Sequence, residues 1–320
     1  MGGVGCCRWF KPGGGGPVRC DVVRALVTGG SGFVGTWLAA HLHSMGDEVV
    51  SIDHEVDVTE PATVLATMRG VRPEAVYHLA ALAHVGRSWV DPMSVARVNT
   101  LGTLSVLEAA RSLDPPPVVL LTSSAEVYGS VPEEMMPITE AQPLAPVTPY
   151  AASKVAAEYF AVQAYLAHGL PVIRVRPFNH IGPGQGKEFV VPALAARIVY
   201  ATRTGADRLR GGNLAARRDL TDVRDVVRAY RLLVVSGRPG GVYNVCSGCD
   251  VAIAAVAERM LVLAGASLRL VVDPDLVRSV DVPVVRGDAG LLWRDTGWEP
   301  EHDLDTTLAD VLAEHRGRLD

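Results

Sequence analysis

The segment that most constrains the fold is VVRALVTGGSGFVGTWLAAHL at residues 22–42. A β-branched apolar run leads into a glycine-rich turn and then into apolar residues at helical spacing, which predicts a strand, a loop and a helix. Gly29, Gly32 and Gly35 have the spacing G-x-x-G-x-x-G. In such loops the first glycine permits a tight turn, the second lets a pyrophosphate approach the backbone, and the third brings helix against strand. The segment therefore predicts a dinucleotide at a helix N-terminus.

An acidic residue at the end of the next predicted strand indicates which dinucleotide is preferred. The strand EVVSID ends at Asp53, close to the position that accepts hydrogen bonds from an adenosine ribose in such folds. A 2′-phosphate would meet the charge of this carboxylate, and no arginine stands in the glycine loop or just after the strand to neutralise it. We therefore expect NAD(H) to be favoured, with NADP(H) as the second choice.

Strands and helices continue to alternate beyond this unit. This alternation predicts an α/β fold with a doubly wound parallel sheet of the Rossmann type, whose ligands bind at the carboxyl ends of the strands. The strands are predicted at 75–81, 117–124, 171–178 and 241–247, and the helices at 92–112, 150–168 and 222–236.

A tyrosine and a lysine are spaced for shared chemistry in YAASK at 150–154. Tyr150 and Lys154 are four residues apart, so they share one face of the predicted helix. A phenol with the usual pKa of about 10 is a poor proton carrier at neutral pH, whereas a neighbouring ammonium lowers the phenol pKa. A compact ammonium can also hydrogen-bond a nicotinamide ribose, a task that the broad fork of arginine does not fill. We expect Lys154 to lower the pKa of Tyr150 and Tyr150 to transfer a proton.

Small hydroxyl residues end the strand that precedes this helix, in VVLLTSSAEVYG at 118–129. Ser124 is placed to hold the substrate oxygen that exchanges a proton with Tyr150. Hydroxyl side chains at strand ends also satisfy the backbone of turns. The prediction for Ser124 therefore depends on its occurrence together with Tyr150 and Lys154.

Composition and charge argue against other classes of function. The 320 residues carry 30 basic and 35 acidic side chains that are interspersed, so no patch is visible that would attract nucleic acid or an anionic membrane. No apolar run reaches the roughly 18 to 20 residues of a spanning helix. We expect a flexible leader at 1–21 and a cytoplasmic protein. We expect no metal site, because the five cysteines lack the two well-spaced pairs of a structural zinc.

These motifs together resemble a known family. The T-G-x-x-G-x-x-G loop, HLAA, SSAEVYG, YAASK and RPFNHIGPGQ are similar to those of the extended short-chain dehydrogenase/reductases that act on nucleotide sugars. The resemblance covers about residues 22–315. The stretches FNHIGPGQGKEFVVPALAARI and GNLAARRDLTDVRDVVRAY are most similar to members that reduce the C4 ketone of GDP-4-keto-6-deoxy-D-mannose to GDP-D-rhamnose.

The resemblance implies roles for individual residues and a nucleotide-sugar substrate, GDP-linked. The two arginines among the substrate residues match positions where the family holds a diphosphate, an anion that suits guanidinium forks. Cofactor contacts are expected from Gly29, Ser31, Gly32, Phe33, Val34, Asp53, Asp57, Val58, Leu79, Ala80, Ala81, Tyr150, Lys154 and Pro177. Substrate contacts are expected from Ser124, Asn179, Lys187, Val191, Arg218 and Arg278.

Glu126 keeps a second reaction open. It stands where related 4,6-dehydratases carry the glutamate that removes the C5 proton, so a GDP-mannose 4,6-dehydratase, or another nucleotide-sugar dehydratase or epimerase with retained NAD, is the alternative. Ala125 replaces the polar residue that usually precedes this glutamate in dehydratases, and NHIGPGQG is more similar to the reductases. Reduction is therefore favoured. A nucleotide sensor without catalysis is a third hypothesis, but it has little use for Ser124, Tyr150 and Lys154 together.

The resemblance also implies an architecture and an assembly. The cleft between a dinucleotide-binding domain and a smaller sugar-nucleotide lobe is expected to form the site. The alanine-rich helices at 92–112 and 150–168 are expected to pack across a two-fold axis in a homodimer, as in the family. The first domain is expected to comprise 22–177 and 215–247, and the lobe 178–214 and 248–320.

Overall fold

The computed structural model describes residues 22–276 and 282–317 of the chain. The predicted leader at 1–21 and the predicted substrate residue Arg278 therefore lie outside the described residues. Within those residues the strands are β1 (Arg24–Thr28), β2 (Glu48–Ile52), β3 (Ala75–His78), β4 (Val118–Thr122), β5 (Val172–Pro177), β6 (Asn179–Ile181), β7 (Arg208–Gly211), β8 (Arg217–Asp222), β9 (Val242–Val245), β10 (Asp250–Ala252), β11 (Arg269–Val272) and β12 (Val284–Val285).

The helices follow the predicted alternation. The helix predicted at 92–112 consists of two α-helices joined by the π-helical segment Arg97–Gly102, and a 3₁₀ turn at Ala125–Tyr128 follows β4. The α-helices are α1 (Phe33–Ser44), α2 (Pro61–Val71), α3 (Val85–Ser88), α4 (Pro92–Ala96), α5 (Thr103–Arg111), α6 (Pro149–His168), α7 (Val190–Thr204), α8 (Val223–Ser236), α9 (Ile253–Ala264), α10 (Gly290–Thr296) and α11 (Leu304–Gly317). In the described part of the chain, none of these helices has the length and apolar character needed to cross a membrane.

Six parallel strands form the large sheet, in the order β2-β1-β3-β4-β5-β9. Successive residues of β1 alternate between its two faces: Val27 packs with α1 and α8, whereas Leu26 packs with α2, α5 and α6. Both faces are covered by helices, which explains why strands such as β3 are apolar or buried at every position. The predicted doubly wound Rossmann architecture is confirmed.

Two smaller groups of strands lie beside this sheet. β8 pairs with β6, β10 and β12, and β7 pairs in parallel with β11. A separate apolar core joins α7, α9 and α11 to these strands. The division into two lobes stays a prediction. Strand pairing places β8 in the smaller group, so the boundary that was predicted near residue 215 fits better at about residue 223, after β8. Leu292 of α10 returns to the core of the large sheet.

Candidate active site

The glycine loop connects β1 to α1 at the carboxyl edge of the large sheet. Gly29 has a φ of +73°, and a Cβ there would lie 2.8 Å from the backbone nitrogen of Ala80, so a side chain does not fit. A Cβ on Gly35 would overlap the carbonyl oxygen of Gly29, so this glycine lets α1 pack against the loop. Gly32 caps α1 without a side-chain hydrogen bond, which leaves N–H donors of the first turn for an anion. This cradle fits the pyrophosphate of a dinucleotide.

Asp53 follows β2 and is held by the glycine loop. The backbone nitrogen and the hydroxyl of Ser31 donate to Asp53 Oδ2 at 2.9 and 2.6 Å. Burial raises the pKa of Asp53, but the hydrogen bonds from Ser31 outweigh burial and bring the pKa below its usual value. The carboxylate is therefore ionised at neutral pH, as the preference for an unphosphorylated ribose requires. The contact with Ser31 was not foreseen from the sequence.

The other predicted cofactor residues lie along the same edge of the sheet. Asp57 accepts hydrogen bonds from the nitrogen and hydroxyl of Thr59, both at 2.8 Å, which lower its pKa. The side chain of Val58 is buried against the π-helical segment, where a Cβ on Gly102 would lie 2.8 Å away from it. Phe33 and Val34 open α1, Leu79, Ala80 and Ala81 directly follow β3, and Pro177 ends β5.

Tyr150 and Ser124 meet where β4 and α6 converge. Thr148 caps α6 by accepting from Ala151 N at 3.0 Å, which places Tyr150 on the first turn. Tyr150 is only 7% exposed, and its phenol lies close enough to the Ser124 side chain for Ser124 to influence the phenol pKa. Burial raises the pKa of Tyr150 to about 12, although the hydrogen bond with Ser124 lowers it. The expectation of a lowered pKa was wrong, because desolvation outweighs the effect of Ser124 and the charge of Glu126 raises the pKa of Tyr150 as well.

Lys154 lies one helical turn further, buried between α6 and the sheet. Its Nζ donates to the carbonyl oxygen of Thr122 at 2.8 Å. Burial lowers the pKa of Lys154 to about 8, while the charge of Glu158 acts in the opposite direction. His78 faces the amine from β3 and is neutral, because burial and the charge of Lys154 lower its pKa to about 3. The amine is therefore the titrating cation of this region near neutral pH.

A buried ion pair behind α6 was not predicted from the sequence. Glu158 accepts from both ends of the Arg176 guanidinium, at 2.9 and 2.7 Å, and Arg176 also donates to the Tyr128 hydroxyl at 3.0 Å. One signal was present, since Glu158 is a charged residue four positions after Lys154 in an alanine-rich helix. Its partner on β5 could be found only from the fold.

The predicted substrate residues are spread over the smaller group of strands. Asn179 of β6 and Lys187 are exposed, and Arg218 of β8 is half-buried and donates to the carbonyl oxygen of Arg217 at 2.8 Å. Val191 is different, because its side chain is fully buried in the core of the smaller lobe. Its predicted contact with substrate is therefore restricted to its backbone.

A cavity of about 630 Å³ opens beside Lys187. α7, β7 and the segment after β11 form most of its wall. Three arginines and one lysine line it, and Asp273 is paired with Arg210 at 3.4 Å. The lining consists of Lys187, Ala196, Arg197, Tyr200, Ala201, Ala206, Arg208, Arg210, Asp273, Leu276 and His315.

Residues 52–311 match the family model described as GDP-mannose 4,6 dehydratase. The chain belongs to this family. It is 38% identical over 300 residues to GDP-6-deoxy-D-mannose reductase of Pseudomonas aeruginosa, covering 92% of this chain and 98% of that protein. The resemblance inferred from the motifs is confirmed.

Several of the solved structures that match this chain contain a nicotinamide dinucleotide, and two of them illustrate the similarity. RMD from Pseudomonas aeruginosa complexed with NADPH matches with a TM-score of 0.84 at 37% identity, over 92% of this chain and 99% of that chain. UDP-glucose 4-epimerase of Thermus thermophilus in complex with NAD matches with a TM-score of 0.82 at 29% identity, over 92% and 99%. Both NADPH and NAD therefore occur among the relatives, which agrees with the expectation that NAD(H) is favoured and NADP(H) is the second choice.

Glu126, the residue expected to act if the protein is a dehydratase, lies at the same edge of the sheet. It lies on the 3₁₀ turn after β4, where its backbone nitrogen donates to Ser124 Oγ at 3.2 Å. Its exposed carboxylate is close enough to Tyr150 to raise the phenol pKa. The arrangement therefore contains a protonated phenol, a hydroxyl, an amine and a carboxylate around one edge of the sheet.

Proposed function

We propose that this protein is a nicotinamide-dependent reductase that converts the C4 ketone of GDP-4-keto-6-deoxy-D-mannose to the alcohol of GDP-D-rhamnose. The observation that carries the proposal is the buried Tyr150 phenol, which lies beside Ser124 at the carboxyl edge of the sheet and whose pKa burial raises to about 12. Such a phenol is protonated at neutral pH, as the acid of a reduction must be. The 38% identical reductase from Pseudomonas aeruginosa supports the choice of substrate.

The roles of the side chains follow from reduction of a ketone. Ser124 and Tyr150 hydrogen-bond the C4 oxygen of the sugar and stabilise the charge that develops on it. A bound reduced nicotinamide supplies the hydride. Tyr150 gives its proton to the same oxygen, so the C=O group becomes CH–OH and a phenolate is left. Lys154, one helical turn away, balances the charge of this phenolate until solvent returns the proton.

The glycine-loop cradle and Asp53 support NAD(H) as the preferred cofactor. In the proposal Asp53 accepts from the hydroxyls of the adenosine ribose, and Lys154 donates to the nicotinamide ribose. The remaining cofactor contacts are those expected from the sequence along the carboxyl edge of the sheet. NADP(H) stays the alternative, since a relative in this group binds NADPH.

The charged cavity supports a nucleotide diphosphate as the part of the substrate away from the sugar. Arg197, Arg208 and Arg210 line it together with Lys187, and such cations bind phosphate oxygens through charge-assisted hydrogen bonds. We propose that Asn179, Lys187, the Val191 backbone and Arg218 guide the nucleotide sugar between this cavity and Tyr150. Arg278 is proposed to complete the set.

One observation favours a second candidate function. The Glu126 carboxylate lies near the Tyr150 phenol, where a base could remove a proton from C5 of a sugar that retained NAD had oxidised at C4. That arrangement would serve a GDP-mannose 4,6-dehydratase. Half-buried Ala125 beside it offers no polar group to assist.

We also propose that the protein forms a homodimer through α4 to α6 and acts in the cytoplasm, where nucleotide sugars and reduced cofactor are expected. Apolar side chains stand exposed on these elements, namely Met93, Leu101, Tyr159 and Leu166. Burying them against a second copy would remove apolar area from water. Light scattering should give the mass of a dimer, and Leu166→Glu should reduce it to that of a monomer.

A single set of incubations distinguishes the hypotheses. Dialysed protein receives GDP-4-keto-6-deoxymannose with NADH or NADPH in parallel, and products are followed by mass spectrometry and absorbance at the nicotinamide band. Stoichiometric oxidation of the cofactor with reduction of the sugar supports the proposal. Conversion of GDP-mannose to a keto-sugar without added cofactor supports the dehydratase, and binding without conversion supports a sensor.

A further inference from the structure

The buried carboxylate of Glu158 lies on the same face of α6 as Lys154, one turn later. The two residues are 1% and 5% exposed. At a separation of four residues on a helix, their side chains are neighbours. Glu158 is also bound by the Arg176 fork and lies 3.7 Å from Arg174 Nη1. This carboxylate thus pairs with two guanidinium groups of β5 and acts on the Lys154 amine through its charge.

Arg176 extends the connection to the turn that carries Ser124. Its Nη1 donates to the Tyr128 hydroxyl at 3.0 Å, and its guanidinium lies 5.0 Å from the centre of the Tyr128 ring. The Tyr128 hydroxyl in turn donates to Asn244 Oδ1 of β9 at 2.6 Å. One network therefore joins β5 and β9 to α6, which carries Tyr150, and to the 3₁₀ turn, which Ser124 caps.

The surroundings of Lys154 leave Glu158 as its balancing charge. From β3 the amine faces the neutral ring of His78, and from β4 it faces the carbonyl oxygen of Thr122. On its own helix the neighbours are the protonated phenol of Tyr150 and the Glu158 carboxylate. Beyond Glu158 stand the two arginines of β5. Among these groups, Glu158 alone is an anion.

We propose that Glu158 is a positioning residue for the reaction, acting as the fixed counter-ion of Lys154 while its fork with Arg176 holds α6 against the turn that carries Ser124. The inference rests on the proposed function for its link to turnover. The effect of Glu158 on the pKa of Lys154 is a property of the protein alone and can be measured without substrate. Because burial lowers the pKa of Lys154 and Glu158 opposes this effect, loss of the carboxylate lowers that pKa further.

A second buried ion pair provides a matched control. Arg231 of α8 donates to Asp47 at 2.7 and 3.1 Å, with both side chains nearly as buried as Glu158 and Arg176. This pair ties α8 to the start of β2 and carries none of the reacting groups. Asp47→Asn therefore reproduces the loss of a buried, two-point ion pair without touching α6.

The decisive measurement is the titration of the Lys154 amine in cofactor-free protein. The chain has only three lysines, so NMR of protein labelled at lysine Cε gives few signals, and Lys154→Met assigns one of them. Glu158→Gln should move the midpoint down by about one pH unit. Arg176→Gln should move it up, because the carboxylate loses its main partner. Glu158→Asp and Asp47→Asn should titrate as the wild type does.

If the ion pair had only a structural role, Glu158→Gln and Arg176→Gln would not shift the Lys154 midpoint in opposite directions. An unmoved midpoint in Glu158→Gln, or an equal shift in Asp47→Asn, overturns the proposal. If Glu158→Gln does not fold, Arg176→Gln decides alone, and a downward or absent shift there overturns it. In turnover of the keto-sugar, kcat of Glu158→Gln should fall about tenfold at pH 8 with an unchanged KM, and equal kcat overturns the positioning role.

The same experiments separate this inference from the proposed function. If the wild type converts no nucleotide keto-sugar but the opposite NMR shifts appear, the reductase assignment fails and the counter-ion role stands. If the wild type reduces the keto-sugar and the shifts are absent, the reductase assignment stands and the role of Glu158 fails.

Discussion

The carboxyl edge of the large sheet and the charged cavity of the smaller group of strands differ in the burial of their polar side chains. Around Tyr150 the phenol and the Lys154 amine are buried, and the amine is fixed by a hydrogen bond of 2.8 Å to the Thr122 carbonyl oxygen. Around Lys187 the cations are several, and Arg208 and Arg210 are exposed on long side chains. Burial shifts pKa values, whereas exposed guanidinium groups keep their charge and adapt to an anion. Changes at the edge should therefore alter kcat, and changes in the cavity should alter KM.

Tyr150→Phe is the strongest test of the buried region. Without the phenolic proton, kcat for the keto-sugar should fall by about 10² to 10⁴, while calorimetry should show nearly unchanged binding of the nucleotide sugar. Tyr243→Phe is the control, because that phenol bonds Asp295 away from the site and its loss should leave kcat within about twofold. Equal kcat in Tyr150→Phe and the wild type would remove Tyr150 from the chemistry.

Gly29→Ala tests whether the edge is a cofactor cradle. The added methyl would press on the backbone of Ala80, so NADH affinity should fall at least about tenfold, or 1.4 kcal/mol, in fluorescence titration. Gly205→Ala has a similar φ of +69° but nothing within 4 Å, so it isolates the cost of the backbone conformation. Equal NADH affinities of the two variants would contradict a role of the loop in binding.

Arg210→Gln tests the cavity. The loss of one charge-assisted contact should raise KM for the nucleotide sugar about tenfold and leave kcat within about twofold in steady-state assays. Arg269→Gln on the neighbouring strand β11 is the control, since Arg269 is exposed but does not line the cavity. A fall in kcat with constant KM would reverse the proposed division between the two regions.

Asp53→Asn should have the smallest effect. Removing its charge should decrease the ratio of kcat/KM for NADH over NADPH by about threefold to tenfold, because the 2′-phosphate no longer faces a carboxylate. The ratio is measured with both cofactors at one ionic strength, since salt screens this repulsion. Asp91→Asn, at the cap of α4, should leave the ratio unchanged. A constant ratio in Asp53→Asn would place cofactor selection elsewhere.

Several parts of the site could be predicted because they depend on local spacing. The turn at Gly29, the i, i+4 relation of Tyr150 and Lys154, and the position of Asp53 after β2 follow from backbone geometry alone. The alternating periods of strand and helix likewise determined the doubly wound sheet. The π-helical break at Arg97–Gly102 left no such local mark.

The tertiary structure decided what surrounds those residues. Burial gives Tyr150 a pKa of about 12 and Lys154 one of about 8, whereas the sequence alone suggested a lowered phenol pKa. Glu158 meets Arg176 only because α6 packs on β5, and the cavity gathers Lys187, Arg208 and His315 from distant parts of the chain. The repeat of a helix or strand fixes which nearby residues share a face, but desolvation and long-range charge pairing depend on which elements pack together.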